Sequence, residues 1–331
     1  MMGWDKMRVE EIIEEITLGL TGDTIVDMVY LREKSVEYSD HEFANEINNK
    51  IGEVTLEVLR NKEKQLSEED IVEKIETINK LYEEAQKLSE SKKFIEAKKV
   101  TESIFEILPF KNEGGNLYFS FGSALELFLF TLVFQPDRPI TQVKTDNSSI
   151  YKIYGYIQAQ LYKIPEAIQA LEDSLKWDPV NVGSLLELAE INKRQDEYDK
   201  FFNVIKNALA LSLNSYELAS CYIKLAEYYK DQEEYDAAIC LYYVSYSFRE
   251  NPSIMSQLTR MNFDLNMETT PPSLERTKEI LEEKGIQLGA SDYALNATEA
   301  LAKEAKNNNA FEIYKYCTDV YKDLTGKELD I

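Results

Sequence analysis

The strongest constraint on the fold is an internal repeat. Three segments share one pattern of apolar and small residues and end in proline; they run from Leu81 to Pro109, Tyr151 to Pro179 and Tyr222 to Pro252. A fourth segment, Leu185 to Leu213, fits between the last two without the proline. In a common register the copies begin at 78, 148, 182 and 219, so the last three are 34 and 37 residues apart. Repeats of this length predict stacked units, because each unit can bury its apolar face only against a neighbour.

The residues within each copy predict a pair of packed helices. Apolar residues recur at the 3.6-residue period of one helix face, and the closing proline ends the second helix. The whole chain has only 12 Gly and 8 Pro in 331 residues, too few turn residues for an all-β sandwich or barrel, so an all-α fold is predicted. A small residue occupies the eighth position of every first helix and lets the second helix approach closely: Ala85, Gly155, Ala189 and Ala226.

The copies resemble the tetratricopeptide repeat, a helix–turn–helix unit of about 34 residues. The resemblance covers about Asn79 to Pro252. It implies a right-handed α-α superhelix, a solenoid with a concave groove, to which further helices are added on the N- and C-terminal sides. In the second copy the family's signature spacing is matched by Tyr151, Tyr154, Gly155, Ala167, Leu171, Ser174 and Pro179.

Three regions are predicted on this basis. Residues 1–74 form an N-terminal helical region, residues 75–252 hold the repeats, and residues 253–331 form capping helices near 273–284, 291–306 and 309–324. Residues 112–147 separate the first two copies and are interpreted as a degenerate repeat or an inserted helical hairpin. Capping-box patterns at Ser39–Glu42 and Ser67–Asp70 predict helices that start near 40 and 68.

One segment has the composition of a membrane span. Leu117 to Phe134 is very apolar and carries a single charge, Glu126, at its middle. The segment is close to the lower length limit for a span, and a carboxylate at mid-membrane costs roughly 2–3 kcal/mol on insertion scales. We therefore expect a helix buried inside the protein rather than an integral membrane segment. Burial by its own chain or by a second copy, and peripheral attachment to a membrane through 117–134, remain open.

The charge of the chain restricts its partners. Lys and Arg number 37 against 60 Asp and Glu, which gives a formal charge of −23. This sign repels phosphates and argues against nucleic-acid binding, and it favours a basic partner. The three cysteines have no disulfide or zinc spacing, and the first helix carries acids where a signal peptide needs basic residues. A cytoplasmic protein is predicted; the oligomeric state is left open.

No motif for catalysis, a cofactor or a metal is present in the sequence. The only histidine, His41, lies beside Glu42, but Asn45 stands where a zinc-protease motif needs its second histidine. The glycines form no nucleotide-binding or nucleophile-elbow motif. Cys221 and Cys240 are interpreted as small buried residues. We therefore expect a protein that is not an enzyme and binds neither a cofactor nor a metal ion.

The resemblance also implies which residues line the groove. In the family, defined positions of each first helix face the concave side. Tyr, Glu and Lys together suit a polar peptide segment held by hydrogen bonds and aromatic contacts. We expect the charges of a peptide groove to form one coherent acidic trough, and a scattered, self-neutralised surface would count against the peptide hypothesis. The matching positions are Tyr82, Glu83 and Gln86 in the first copy, Lys152, Tyr156 and Gln160 in the second, Glu187, Glu190 and Arg194 in the third, and Lys224, Glu227 and Lys230 in the fourth.

Two functions of different classes follow from these observations. The leading hypothesis is a non-catalytic scaffold that binds a protein or peptide on its concave face. The alternative is a regulatory protein that senses a small peptide or metabolite and changes its superhelical pitch. Such sensors often carry a DNA-reading domain, but residues 1–60 hold 14 acids and 6 basic residues, which argues against one here.

Overall fold

A computed structural model describes residues 2–21, 24–39, 41–65, 68–108, 118–265 and 269–331. Within these residues the chain forms sixteen α-helices and two very short strands. The all-α fold is confirmed, and successive helices pack as pairs in a solenoid-like array. The chain divides into two compact units, Met1–Thr77 and Ile78–Ile331.

The first unit has its own small core. It contains α1 (Met2–Leu18), α2 (Thr24–Glu37), α3 (Ala44–Gln65) and the beginning of α4 (Glu68–Glu90). Both α1 and α2 pack against α3. The buried residues of this core are Val9, Ile16, Leu31, Ile47 and Ile51.

Of the two helix starts predicted from capping boxes, the one near 40 is wrong by a few residues and the one near 68 agrees with the structure. The helix expected near 40 begins only at Ala44, and the backbone N–H of Phe43 donates to the Nδ1 atom of His41 at 3.2 Å. Ser39 therefore does not start the helix. The second helix begins at Glu68, near the predicted position, while Asp40 and Ser67 themselves lie outside the described residues.

The second unit is built from helix pairs. After α4 come α5 (Phe94–Ile107), α7 (Asn147–Gln160), α8 (Ile164–Trp177), α9 (Val182–Arg194), α10 (Tyr198–Leu211), α11 (Ser215–Asp231) and α12 (Tyr235–Phe248). The closest packing is within the pairs α7–α8, α9–α10 and α11–α12, and each pair also contacts the next. Pro179 follows the end of α8 as predicted, whereas Pro252 begins a further helix and Pro109 lies outside the described residues.

The predicted close approach within the pairs is confirmed. Ala85, Ala189 and Ala226 are fully buried. A Cβ atom added to Gly155 would lie only 2.7 Å from Cγ of Leu171 and 3.2 Å from the carbonyl oxygen of Ala167, both on α8. A residue larger than glycine at this position would push α7 and α8 apart.

The insertion between the first two copies differs from its prediction. It contains β1 (Tyr118–Phe119), α6 (Ala124–Phe134) and β2 (Thr141–Gln142), and the two strands pair in parallel. The apolar helix therefore begins at Ala124, where Ser123 and Glu126 form a capping box, and not at Leu117. Residues 112–117 of the predicted insertion lie outside the described residues.

The helix α6 is largely buried, as expected. Leu125, Leu129 and Phe130 belong to the main core of the second unit, while Leu132 and Phe134 are partly exposed. No helix among the described residues is long and apolar enough to cross a membrane.

The C-terminal helices are α13 (Pro252–Leu265), α14 (Leu274–Glu283), α15 (Asp292–Asn307) and α16 (Phe311–Thr325). The last three agree with the predicted ranges, and α13 was not predicted. Both α13 and α14 pack on α12. The pair α15–α16 instead packs back on α6 and α10 through α15, a placement that the sequence pattern did not indicate.

One turn geometry recurs between the helices of five hairpins. In each turn a residue other than glycine has a positive φ, and the next N–H donates to a carbonyl oxygen five residues earlier, at 2.8 or 2.9 Å. The fifth such turn joins α15 to α16, where Ala302 precedes the turn residue by the same seven positions as Gly155 does in the second copy. The chain thus contains a fifth hairpin of the repeated type. The five turn residues are Lys92, Tyr162, Asp196, Glu233 and Asn309.

Candidate peptide-binding groove

The first helices of three consecutive hairpins, α7, α9 and α11, lie next to one another. Each begins at an Asp or Asn whose side-chain oxygen accepts a hydrogen bond from the backbone N–H three residues later. These contacts join Asp146 to Ser149 at 3.0 Å, Asn181 to Ser184 at 2.9 Å, and Asn214 to Glu217 at 2.9 Å. The three caps begin the three helices in the same way, which places the predicted groove residues on neighbouring faces.

Five of the predicted groove residues form one group, which we name the central charge cluster: Lys152, Glu187, Glu190, Arg194 and Lys224. Glu190 on α9 is its centre, because it accepts from Nζ of Lys224 on α11 at 2.9 Å and from Nε of Arg194 at 3.1 Å. The side chain of Lys152 extends from α7 over Gly183 on α9, so that a Cβ atom added there would lie 3.2 Å from Nζ. The cluster therefore links all three helices.

The two carboxylates of the central charge cluster differ in their electrostatics. Burial raises the pKa of Glu187 above its ordinary value, and this effect outweighs the attraction of Lys224, Arg194 and Lys152. Glu187 makes no hydrogen bond or ion pair with another described residue. Burial also acts to raise the pKa of Glu190, but Lys224 and Arg194 outweigh it, and the net pKa is lowered. Glu187 is thus the acid of this cluster that has no bonded partner.

A second set of ion pairs continues the charged face. Lys193 on α9 lies 2.8 Å from Asp231 and 3.9 Å from the predicted residue Glu227, both on α11. Lys193 and Asp231 were not among the predicted residues. A signal was present: Lys193 and Glu227 are 34 residues apart, as are Glu190 and Lys224, and both pairs have opposite charges.

The remaining predicted residues do not join the central charge cluster. Tyr82 on α4 packs beside Ile78, Ile104 and Ile150, and burial raises the pKa of its hydroxyl despite a hydrogen bond with Ser149. The ring of Tyr156 meets that of Phe94 on α5, with centroids 6.1 Å apart. The others are at least partly exposed: Glu83, which lies 3.8 Å from Lys87, and Gln86, Gln160 and Lys230.

The charges on this face alternate and do not form an acidic trough. The central charge cluster contains three basic residues, Lys152, Arg194 and Lys224, and two acids, Glu187 and Glu190. Beside it, Lys193 forms ion pairs with Glu227 and Asp231. Paired charges of this kind do not attract a basic peptide as a row of unpaired acids would. The expected acidic trough is therefore absent among the described residues, and this counts against a basic peptide as the ligand of the groove. Donors and acceptors of both signs are still available to a polar segment.

Residues outside the groove bear on the expectations for a metal site and for the cysteines. No group of three or more His, Cys, Asp or Glu side chains in the described part of the chain is placed to hold a metal ion. The prediction that Cys221 and Cys240 are buried is confirmed, and burial raises the pKa of Cys221 to about 12. Comparison of the chain with protein-family models and with curated proteins finds no match.

Proposed function

We propose that the chain is a non-catalytic scaffold that binds another protein or a peptide on the face formed by α7, α9 and α11. The observation that carries this proposal is the central charge cluster. Its side chains come from three adjacent helices, all but Arg194 are half-buried, and one carboxylate, Glu187, has no bonded partner among the described residues. A polar segment lying across the three helices could exchange hydrogen bonds with all of them at once.

We also propose that the array is of the tetratricopeptide type. The repeat spacing of 34 and 37 residues, the small residues that precede each turn by seven positions, and the shared turn geometry support this assignment. The fifth hairpin, α15–α16, extends the pattern beyond the four copies seen in the sequence. Fold likeness alone does not identify a function, so the groove residues have to carry the test.

A basic partner in the cytoplasm remains our prediction. The net charge of −23 accelerates encounter with positive surfaces, although the acids of the groove are mostly paired. Glu187 is the residue at which a partner's ammonium or guanidinium group would gain most, since no described residue forms a hydrogen bond or ion pair with this carboxylate. The alternative is a sensor of small peptides or metabolites. It would bind its ligand on the same face, and only the size of the ligand would differ.

The experiment compares two matched glutamate variants of the full chain as baits in a pull-down from cytosol. Glu187→Gln removes the groove carboxylate, while Glu197→Gln changes an acid at the start of α10, outside the groove. We expect the wild-type chain and E197Q to retain the same basic proteins, and E187Q to retain several-fold less, because a charge-assisted hydrogen bond is lost.

Melting temperatures of the three proteins check that the variants are folded. Equal capture by wild-type chain, E187Q and E197Q would contradict the assignment of the groove. Failure of the wild-type chain to retain any protein specifically would contradict the scaffold function itself. A shift in melting temperature caused by a peptide or metabolite alone would favour the sensor.

A further inference from the structure

The helix α2 is apolar on two opposite faces. One face packs on the core of the first unit, where Leu31 is buried and Oγ of Ser35 donates to Oδ1 of Asn48 on α3 at 2.8 Å. On the opposite face Val29 and Val36 are 54% and 68% exposed. These valines are seven positions apart, so they lie in line along the helix, two turns from one another.

Nothing in the helix itself favours valine at these two positions. Valine is a weaker helix former than the lysine, glutamate or alanine usual on a solvated helix face, because its branched Cβ loses side-chain freedom. With Arg32 and Glu33 between them, the valines border a shallow depression of about 420 Å³. Within the described residues neither Arg32 nor Glu33 makes an ion pair. We name these four residues the α2 outer face: Val29, Arg32, Glu33 and Val36.

The α2 outer face is complementary to itself. Its residues are placed symmetrically about the point between positions 32 and 33. Against an antiparallel copy of the same helix, Val29 therefore meets Val36 of the partner copy. In the same register Arg32 meets the opposite charge at position 33, and both contacts occur twice by symmetry. No other register matches apolar groups and opposite charges together.

We propose that this face binds the same face of a second copy of the chain, as an antiparallel pair of α2 helices. The inference is independent of the groove and of its ligand. Four residues a side form a smaller patch than the roughly 800 Å² per partner of a standard stable interface, so the pairing is weak and depends on concentration. Its physical effect is to bring two grooves into one assembly and to increase the avidity for a partner with repeated segments.

Sedimentation velocity of the full chain over a wide concentration range tests the proposal with charge reversals. Arg32→Glu alone places like charges together twice, and Glu33→Arg alone does the same with the opposite sign. We expect each single variant to dissociate about tenfold more readily than the wild-type chain. The double variant R32E/E33R restores opposite charges and should recover the wild-type association.

A mixture of the two single variants tests whether positions 32 and 33 lie in the interface. A chain with R32E has two acids at these positions and a chain with E33R has two basic residues, so the mixture should form dimers that neither variant forms alone, whereas recovery in the double variant tests the antiparallel register. Glu53→Arg, an exposed charge reversal on α3, is the control and should leave association unchanged. Equal melting temperatures check that the variants are folded.

Three outcomes would overturn the inference. A wild-type chain that stays monomeric at the highest concentration lacks the dimer. Dimers that are insensitive to R32E and E33R use another surface. Loss of association in the single variants without rescue in the mixture or in the double variant means that the α2 outer face contacts a different surface of the second copy and not the same face.

Discussion

Gly155 sets the distance between α7 and α8. Its position was predicted from the sequence, because a small residue recurs at the same place in every copy. The structure adds the reason why glycine and not alanine stands here: the space for a Cβ atom is already occupied by Leu171. Sequence patterns show that a small residue is required here. Whether it must be glycine or can be alanine depends on how close the neighbouring side chain lies.

We predict that Gly155→Ala destabilises the protein by about 1–2 kcal/mol, because overpacking of the helix interface exceeds the gain in helix propensity. The matched control is Gly52→Ala on α3, where no described atom outside the helix's own backbone lies within 4 Å of the added Cβ. There the propensity gain stands alone, and stability should rise by about 1 kcal/mol. Urea unfolding of both variants measures whether the free energy of unfolding falls in G155A and rises in G52A. Stabilisation by G155A would contradict the close approach of α7 and α8.

Asp178, at the C-terminal end of α8, is a buried acid that sequence analysis did not single out. Only 1% of the residue is exposed, and Oδ2 has no hydrogen-bond partner among the described residues, whereas Oδ1 accepts from the N–H of Val180 at 3.1 Å. Burial raises its pKa to about 8, and Glu126 and Asp146 add to the shift. Burial likewise raises the pKa of Glu126 and of Glu217.

These shifts predict that stability falls as the pH rises from about 4 to about 8. In this range the unfolded chain loses the Asp178 proton while the folded chain keeps it, so the folded state binds more protons. Asp178→Asn should flatten the dependence, because the amide stays neutral. Calorimetric melting temperatures between about pH 5 and about pH 8 provide the measurement. Asp236→Asn, an exposed change on α12, is the control, and equal slopes for D178N and wild type would refute the assignment.

At the scale of elements, the recurrent unit is the hairpin turn. All five turn residues have φ values between 56° and 61°, and none is glycine. A residue with a Cβ atom in this region is strained by roughly 1 kcal/mol. Asp196 and Asn309 tolerate this region, but Lys92, Tyr162 and Glu233 do not favour it, so at these three positions helix packing on both sides imposes the turn.

We predict that Lys92→Gly is more stable than Lys92→Ala by about 1 kcal/mol, because only glycine relieves the left-handed backbone. Both variants remove the same exposed lysine side chain, so their difference isolates the backbone term. Thermal unfolding measures it. The opposite order of the two variants would show that this turn does not have the geometry described.

The helices themselves were largely predictable, and their arrangement was not. The period of apolar residues predicted the bounds of α7 to α12 and of the last three helices to within a few residues of those observed, since burial of one helix face determines that period. The start of α6 was misplaced because Tyr118 to Phe121 are as apolar as the helix that follows and form a strand and its extension instead. The fifth hairpin was missed as a repeat because its second helix has Tyr314 where three other copies have alanine.

At the scale of the second unit, the C-terminal hairpin is tied to the middle of the array. Both carboxylate oxygens of Asp323 on α16 accept hydrogen bonds at the start of α11, from the N–H of Ser215 at 2.6 Å and from its hydroxyl at 2.8 Å. The hydroxyl of Tyr222 accepts from the N–H of Gly289 and donates to the carbonyl oxygen of Gln287. A carboxylate at a helix N-terminus is favoured by the helix dipole.

We predict that Asp323→Ala lowers stability by about 1 kcal/mol, because two N-terminal groups of α11 lose their acceptor. Faster hydrogen exchange at the first turn of α11 would accompany the loss and locate it. Asp319→Ala, one turn earlier on the exposed side of α16, serves as the control and should change neither quantity. Unchanged exchange in D323A would contradict the tie between α16 and α11.

The groove was partly predictable at this scale. Repeat register brought Lys152, Glu187, Glu190, Arg194 and Lys224 together as expected, since equivalent positions of stacked helices are neighbours. The 34-residue spacing of Glu190 to Lys224 and of Lys193 to Glu227 is a signal for their pairing, but the sequence does not show which opposite charges come within bonding distance, because that depends on side-chain reach between helices. Tyr82 and Tyr156 were assigned to the groove from register alone. In the structure they pack between hairpins, Tyr82 against α7 and Tyr156 against α5.

The bond between Asp323 and Ser215 spans 108 residues of chain, and this separation affects how the protein folds. A linear array can form hairpin by hairpin as the chain is synthesised, because every contact is with the preceding unit. Here the start of α11 waits for residue 323 to leave the ribosome, and closure of so long a loop slows the final step. Until then, the apolar surface of α6 lacks the cover of α15 and is exposed to chaperones and to aggregation.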